Sequence, residues 1–256
     1  MKSFKKLGVL LLVLGMVMTF AACSGGGEST DGAKVYKIAT DTTFAPFEFE
    51  NEKGEFVGID MDILAAIAKD QGFEYELEVL GFNAAVQALE AKQVDGVIAG
   101  MSITDERKEK FDFSAPYFDS GVGMAISKDN AEIKSYADLK GKKVAVKTGT
   151  EGAAFAESIK AKNGFEITTF EDSANMYEDV KAGNAVACFE DYPVLGYAIT
   201  MGQPLTMVGE KEAGSSYGFA VTKGENAELI KMFDAGLKNI KESGKYQEIL
   251  DTYISK

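Results

Sequence analysis

Strand and helix patterns alternate regularly along this chain, and this alternation constrains its fold more than any other feature. Residues 35–40 (VYKIAT) form a short run typical of a strand. Residues 58–69 repeat apolar side chains every three or four positions, which predicts a helix. Residues 73–79 (FEYELEV) alternate apolar and charged side chains, as in a strand with one wet face. With a helix at 83–92 and a strand at 94–99, the βαβαβ order predicts an α/β fold with a largely parallel sheet.

The middle of the chain repeats this pattern without a low-complexity linker. A capping box at Ser135 and Asp138 opens a series of strands and helices that closes with a strand at 217–222 and two amphipathic helices. Extended segments connect the two units in both directions, so we predict that the second lobe is inserted into the first through a two-strand hinge. The predicted boundaries are 35–118 and 218–256 for lobe 1 and 119–217 for lobe 2, with connections at 116–124 and 213–219.

The N-terminus has the order of a removable export signal. Three lysines within residues 1–6 precede a short apolar run at 7–20, and two alanines then precede Cys23. A cysteine directly after small residues resembles a bacterial lipoprotein lipobox, in which the cysteine is lipidated; an incidental cysteine in an ordinary exported protein is the alternative. We therefore predict a signal peptide at 1–22, lipidation at Cys23 and a flexible tether at 23–34.

Composition excludes several classes of function. The net charge is -13, and removing the three lysines of the signal makes it -16, which disfavours nucleic acid and anionic membrane surfaces as partners. The chain has no histidine, which removes histidine-assisted nucleophiles and histidine metal sites. Beyond Cys23 the one remaining cysteine, Cys188, lies in an apolar run and is expected to be a buried, inert thiol. We expect no catalytic residue, metal or cofactor.

Arg107 is the only arginine in the sequence. Its planar guanidinium can hold a carboxylate with two parallel hydrogen bonds, which a lysine cannot do. It follows a predicted strand and a loop with hydroxyl groups, and ligands in open α/β sheets bind beyond the carboxyl ends of strands. We interpret Arg107 as the anchor of a small carboxylate ligand. A surface arginine paired with Asp105 or Glu109 is the alternative.

The other loops at predicted strand ends suit a zwitterionic amino acid. Asp191 is predicted to bind the α-ammonium, and the helix start at Thr148 and Thr150 to add donors to the α-carboxylate. Glu190, next to Asp191, is expected to face solvent. The remaining predicted contacts are aromatic faces (Phe44 and Phe82), a carbonyl (Gly100), a hydroxyl (Ser102) and an acceptor and donor for the ligand side chain (Asp41 and Lys147).

Each of these residues has a structural alternative that the sequence leaves open. Phe44 and Phe82 are also candidates for the core, and Asp41 for the cap of a turn. Lys147 is also a candidate for a solvated lysine at a strand end, and Asp191 for the cap of the helix that follows it.

Four segments together resemble the polar amino-acid binding proteins of ATP-driven importers: 40–49 (TDTTFAPFEF), 58–62 (GIDMD), 100–107 (GMSITDER) and 111–117 (FDFSAPY). The resemblance implies a type II periplasmic-binding-protein fold with two lobes and two connecting strands. It also implies that the arginine holds the ligand carboxylate and an aspartate of the second lobe the ammonium.

Within that family the chain looks most like the glutamine binders, in which an aspartate and a lysine at the positions of Asp41 and Lys147 address the side-chain amide. It differs from them at Glu190, where they have histidine, and at Glu151, where they have glycine. A cationic ligand is disfavoured beside Lys147 and an anionic one beside Asp41, so a neutral amide satisfies both.

The predicted function is therefore a lipid-anchored, monomeric protein that captures a polar amino acid, with glutamine favoured, outside the cytoplasmic membrane. It delivers this ligand to the transmembrane subunits of an ABC permease. Two alternatives remain at this point. One is an enzyme on the same scaffold, resembling dehydratases that act on prephenate-like acids, with Glu190 as the candidate acid or base. The other is an amino-acid sensor module.

Overall fold

The computed structural model describes residues 34–254, apart from the side chain of Ala213. The predicted signal peptide, Cys23 and the tether up to residue 33 lie outside these residues. The described helices include none with the length and hydropathy needed to cross a bilayer.

Twelve strands are assigned within the described residues, and they form two five-stranded sheets and one small hairpin. The strands are β1 (Val35–Thr40), β2 (Phe49–Glu50), β3 (Phe56–Val57), β4 (Glu74–Val79), β5 (Gly96–Val97), β6 (Phe111–Phe113), β7 (Phe118–Ser127), β8 (Lys143–Lys147), β9 (Glu166–Phe170), β10 (Ala187–Asp191), β11 (Leu205–Tyr217) and β12 (Ala220–Thr222).

The helices fill the connections between strands, as the alternating pattern predicts. A short 3-10 helix at Tyr136–Leu139 carries the predicted capping box between Ser135 and Asp138. The α-helices are α1 (Ile59–Gln71), α2 (Phe82–Glu90), α3 (Asp105–Lys110), α4 (Glu151–Asn163), α5 (Ser173–Lys181), α6 (Tyr192–Thr200), α7 (Ala227–Glu242) and α8 (Lys245–Tyr253).

The first lobe contains the sheet β4-β1-β5-β12-β6. β1 pairs in parallel with β4 and β5, which confirms the parallel sheet predicted from the βαβαβ order. β12 returns near the end of the chain and pairs antiparallel with β5 and β6. Ile59, Ile63 and Ile67 of α1 are all buried on its predicted apolar side, against α7 and α8.

The second lobe contains the sheet β11-β7-β10-β8-β9. β8 pairs in parallel with β9 and β10, and β7 is antiparallel to β10 and β11. β7 and β11 are the two connecting strands, and they pair with each other where Phe118 faces Tyr217, next to the first lobe. The two-lobe α/β architecture is therefore confirmed, while the residue boundaries of the lobes stay predictions.

Two strands differ from their predicted extent, and both differences shape the cleft between the lobes. The strand predicted at 94–99 is regular only at Gly96–Val97, although the N–H groups of Asp95 and Ile98 still donate to β1 carbonyls, and the chain turns at Gly100, where φ is 53°. The strand predicted at 185–189 instead spans Ala187–Asp191 and is buried throughout. Its last two residues therefore carry acidic side chains into the protein interior.

Candidate functional site

The carboxyl ends of parallel strands from both lobes meet at one cleft. In lobe 1, the segments after β1, β4 and β5 provide Asp41, Phe82 and Arg107. In lobe 2, β8 and β10 end at Lys147 and Asp191. Side chains cross the cleft at two places: Lys147 forms a salt bridge with Asp41, and Arg107 donates to the Gly149 carbonyl at 3.0 Å. The structure therefore brings the predicted residues together with the two lobes in contact.

Arg107 lies in this cleft, as predicted for a carboxylate anchor. The Thr104 hydroxyl caps α3 by accepting from the Arg107 backbone N–H at 3.2 Å, which fixes where the side chain begins. Nη1 donates to the Ser102 carbonyl at 2.8 Å and Nη2 to Gly149, while the guanidinium carbon lies 5.2 Å from the centre of the Phe82 ring. Asp105, the alternative surface partner, pairs instead with Lys108 at 3.1 Å.

Burial lowers the pKa of Arg107, and the carboxyl groups of Asp191 and Glu151 oppose that shift. The side chain therefore stays cationic in a partly dehydrated place, where a ligand carboxylate gains most from a forked donor. A cavity of about 510 Å³ opens beside it and is lined in part by Arg107, Gly149 and Glu151. Glu151 lines this cavity, and its carboxylate accepts a hydrogen bond from the Ser215 hydroxyl at 2.6 Å.

The Asp41–Lys147 pair is buried on both sides, with each side chain only 1% exposed. Asp41 Oδ1 also accepts from the backbone N–H groups of Thr42 at 2.6 Å and Phe82 at 3.0 Å. Asp41 therefore caps its own turn, as in the structural alternative, and also pairs with Lys147, while its contact with the ligand side chain stays a prediction. Lys147 is not the solvated lysine of the alternative interpretation, because its side chain is only 1% exposed. A lysine ammonium buried in this way requires a partner of opposite charge, which Asp41 provides.

Aromatic rings border the two charged groups. Phe44 and Phe82 are each 5% exposed, and the Lys147 ammonium lies 5.2 Å from the centre of the Phe44 ring. Gly100 is packed directly under Phe44: a β-carbon at this position would come within 2.2 Å of the Phe44 ring. Only glycine fits here, which explains why the backbone of this loop can reach the cleft.

The hydroxyl residues of the predicted site serve the backbone in this structure. Both donors of Thr148, its N–H and its hydroxyl, go to the Phe170 carbonyl at 2.8 and 3.1 Å. The Thr150 hydroxyl donates to the Lys147 carbonyl at 2.8 Å and accepts from Ala153 N–H as the cap of α4. These two side chains thus shape the turn after β8, and their predicted ligand contacts remain predictions. Ser102 is buried and forms an isolated bridge with Tyr217.

Asp191 lies at the end of β10, 3% exposed, and accepts from the Tyr217 hydroxyl at 2.5 Å. It occupies the N-cap position of α6 but makes no side-chain capping bond, so its carboxylate is available to the cleft. Burial, followed by the neighbouring Glu190 carboxyl, raises the pKa of Asp191 well above its ordinary range. An ammonium group placed beside it would stabilise the ionised form.

The expectation that Glu190 faces solvent is wrong, because this side chain is fully buried. Its two carboxyl oxygens accept from the Ser173 hydroxyl at 2.7 Å and from the Asp191 N–H at 3.0 Å. Burial raises its pKa, and Lys147 opposes that rise. An acidic side chain is usually exposed to solvent, but β10 continues through Glu190 and Asp191 and places both side chains in the interior. Cys188 on the same strand is buried as predicted, and burial raises the pKa of its thiol.

Sequence reasoning missed three buried polar residues around this cleft. Tyr217 lies on the connecting strand β11, donates to Asp191, accepts from Ser120 at 3.0 Å and stacks on Phe118. Glu48 and Asp60 lie behind Phe44 and Gly100 and are fully buried. Both acids belong to motifs that the sequence singled out, but nothing in their spacing shows that their side chains point inward.

The fold and the cleft define a two-lobe binding protein with a type II periplasmic-binding-protein architecture. The family profile of the bacterial extracellular solute-binding proteins, family 3, matches residues 36–256. The chain therefore belongs to this family.

Individual relatives agree with that assignment. An arginine-binding periplasmic protein of Mannheimia haemolytica is 34% identical over 223 residues, which cover 85% of this chain and 90% of the relative. A solved structure of an ancestral arginine-binding protein bound to glutamine is 36% identical, with a TM-score of 0.80 over 87% of this chain and 98% of that chain.

The second substrate-binding domain of Lactococcus lactis GlnP, in open conformation, is 42% identical, with a TM-score of 0.61 over 89% of this chain and 98% of that chain. The chain thus resembles the glutamine-bound structure more closely in shape, although the open domain is more similar in sequence. This agrees with the contacts that join the two lobes across the cleft.

Proposed function

We propose that this protein captures a polar L-amino acid between its two lobes, with glutamine favoured, and delivers it to the transmembrane subunits of an ABC importer. The observation that carries the proposal is the placement of Arg107 in the cleft between the lobes, with Asp191 across from it. A forked cation and a buried carboxyl group on opposite sides match the carboxylate and ammonium of an amino acid. The proposed contacts are Asp41, Phe44, Phe82, Gly100, Ser102, Arg107, Lys147, Thr148, Thr150 and Asp191.

The side-chain preference rests on the buried Asp41–Lys147 pair. An amide can donate to the aspartate and accept from the lysine without breaking the balance of charge between them. The arginine-binding names of several relatives favour a cationic ligand instead. Against this, Lys147 is 1% exposed and would repel a guanidinium in a place with little water to screen it.

We further propose that the protein binds its ligand without converting it. Both oxygens of Glu190, the candidate acid or base, already accept hydrogen bonds from Ser173 and Asp191 N–H. We also propose that export and lipidation at Cys23 hold a monomer at the outer face of the cytoplasmic membrane, with residues 23–34 as the tether.

Calorimetry on ligand-stripped protein against the twenty amino acids tests the proposal. We expect glutamine to bind most tightly and to be recovered unchanged by mass spectrometry. Tight binding of arginine with none of glutamine would contradict the ligand assignment, and a new product would contradict the binding role.

A Lys147→Met variant tests the proposed side-chain contact. The change leaves Asp41 without its cation, so we expect the affinity for arginine to rise at least about tenfold relative to glutamine. Lys140→Met, at an exposed position, is the matched control and should leave this ratio unchanged.

A further inference from the structure

Glu48 is a buried acid whose carboxyl group receives no hydrogen bond from the residues that the structure describes. It lies in the segment after β1, fully buried, where its backbone forms a bridge with Phe44. Among the described residues, no hydrogen bond reaches either carboxyl oxygen from a group that is always a donor. A buried carboxylate in such a place would carry the full cost of lost hydration.

Asp60 lies next to Glu48, in the first turn of α1, and is also fully buried. Its Oδ2 atom accepts from the Gly100 N–H at 2.8 Å and from the Tyr117 hydroxyl at 2.7 Å. Its Oδ1 atom, like the Glu48 oxygens, finds no ordinary donor in the described part of the chain. The Asp60 N–H donates to the carbonyl of Phe47, the residue before Glu48, at 2.9 Å, and the two carboxyl groups are neighbours that influence each other's pKa.

One proton resolves this arrangement. If Glu48 carries it and donates to Asp60 Oδ1, both carboxyl groups gain a partner, and the other Glu48 oxygen becomes a neutral carbonyl. The chemistry fits this assignment, because Asp60 already accepts two hydrogen bonds that favour its ionised form, whereas the Glu48 carboxyl group accepts none from the described residues. Burial raises the pKa of Asp60 to about 6 and raises the pKa of Glu48 well above its ordinary value.

The groups that face Glu48 come from several elements. Asp60 faces it from α1, Asp41 from the end of β1, Lys147 from β8 and the Tyr117 hydroxyl from the segment before β7. Lys147 is already paired with Asp41. A charged Glu48 would therefore add an unbalanced negative charge beside the group proposed to receive the ligand side chain.

The carboxyl pair also joins two parts of the ligand surface. Glu48 is bonded through its backbone to Phe44, with Phe44 N–H donating to the Glu48 carbonyl at 2.8 Å. Asp60 holds the N–H of Gly100, and Gly100 packs under the Phe44 ring. The shared proton thus lies behind both the aromatic face and the backbone loop of the cleft.

We propose that Glu48 is a positioning residue of the binding site: it holds the one proton shared with Asp60, and the pair keeps Phe44 and Gly100 placed for a ligand with a neutral side chain. This inference rests on the proposed amino-acid binding. It adds that selection against cationic ligands depends on an acid that stays uncharged at neutral pH.

Infrared spectroscopy tests the protonation directly and without ligand. In protein grown with glutamate labelled with ¹³C at the side-chain carboxyl, we expect a protonated carboxyl band at pH 7 that carries the isotope shift and moves in D₂O. Glu48→Gln should remove this band, whereas Glu52→Gln, at an exposed position on the same segment, and Glu190→Gln, at the buried glutamate of lobe 2, should both keep it. Absence of the labelled band from the parent protein would overturn the proposal, even if Glu48→Gln fails to fold.

Binding measurements test the positioning role. The amide introduced by Glu48→Gln would offer an N–H donor to Asp60 and keep one carbonyl, so we expect this variant to bind glutamine within about threefold of the parent. Glu48→Ala leaves the Oδ1 atom of Asp60 without the proposed donor and should bind on the order of ten- to a hundredfold more weakly. A Glu48→Gln protein that folds but binds as weakly as Glu48→Ala would show that the charge of Glu48 is required, contrary to the proposal. Because the infrared result does not involve ligand, loss of the proposed function and loss of this inference are distinguishable.

Discussion

Two pairs of buried carboxyl groups flank the cleft, one in each lobe, and their hydrogen bonds differ. In lobe 1, Glu48 and Asp60 are neighbours, and no residue of the described range 34–254 donates a hydrogen bond to the Glu48 carboxyl group. In lobe 2, Glu190 accepts from Ser173 and from a backbone N–H, and Asp191 accepts from Tyr217. In the proposed assignment the first pair shares one proton and keeps a single negative charge on Asp60, whereas in the second pair both carboxyl groups accept hydrogen bonds that stabilise negative charge.

This difference separates two roles that acidic residues can play around one ligand. A pair that shares one proton carries one negative charge instead of two, and the proposed assignment gives it an effect on the ligand through the groups it holds in place. A pair supplied with donors can be ionised when a cation arrives, because its remaining oxygen is free to accept. The two pairs are therefore expected to respond differently to substitution.

The largest effect is expected for Asp191→Asn. The change removes the proposed partner of the ligand ammonium, and truncating one member of a buried charge pair costs about 2–5 kcal/mol of binding free energy. We expect the dissociation constant for glutamine to rise about thirtyfold or more, measured by calorimetry. Asp129→Asn, at an exposed turn, is the matched control and should bind normally. Normal binding by a folded Asp191→Asn protein would place the ammonium elsewhere.

A second expected effect concerns how the unfolding free energy of the ligand-free protein depends on pH. The pKa of Asp60 rises from 3.8 to about 6 on folding, so its contribution to stability is full below pH 4 and is lost as the pH rises through 6. This loss amounts to about 3 kcal/mol of unfolding free energy for Asp60 alone. Burial raises the pKa of Glu48, Glu190 and Asp191 in the same direction.

We therefore expect denaturant unfolding to give a lower free energy at pH 8 than at pH 5. Glu48→Gln in lobe 1 and Asp191→Asn in lobe 2 should each make the unfolding free energy fall less steeply with pH. Each substitution removes one acid whose pKa is raised on folding. A slope that neither substitution changes would show that these acids titrate as they do in the unfolded chain.

Much of this site was predictable, because the positions of its loops follow from the order of strands and helices. Arg107 and Asp191 lie at or after the ends of strands that the sequence pattern predicts. Pairing within each sheet then brings the strand ends of that lobe together. Glu48, Asp60 and Glu190 were not predictable in the same way. Asp60 sits in the first turn of α1, where an acid normally serves the helix end in solvent. Its inward direction is set by packing against Gly100 and Tyr117, which are distant in sequence.

The smallest effect is expected for Tyr217→Phe. The change removes one donor to Asp191 while keeping the ring that stacks on Phe118. We expect glutamine affinity to fall about three- to tenfold, in line with the net contribution of one ordinary hydrogen bond. Tyr253→Phe removes a similar bond, to Asp62 at 3.0 Å on α1, and should leave binding unchanged. Equal effects of the two substitutions would remove Tyr217 from the binding site.

The central claim is that the Arg107 guanidinium holds the ligand carboxylate, and a double-mutant cycle tests it most directly. Glutamine and its α-carboxamide analogue are titrated into the parent protein and into Arg107→Lys. If the two groups are partners, Arg107→Lys weakens glutamine by about 2–4 kcal/mol but hardly changes the analogue, so the coupling energy has that size. Equal losses for both ligands, and hence a coupling energy near zero, would contradict the account.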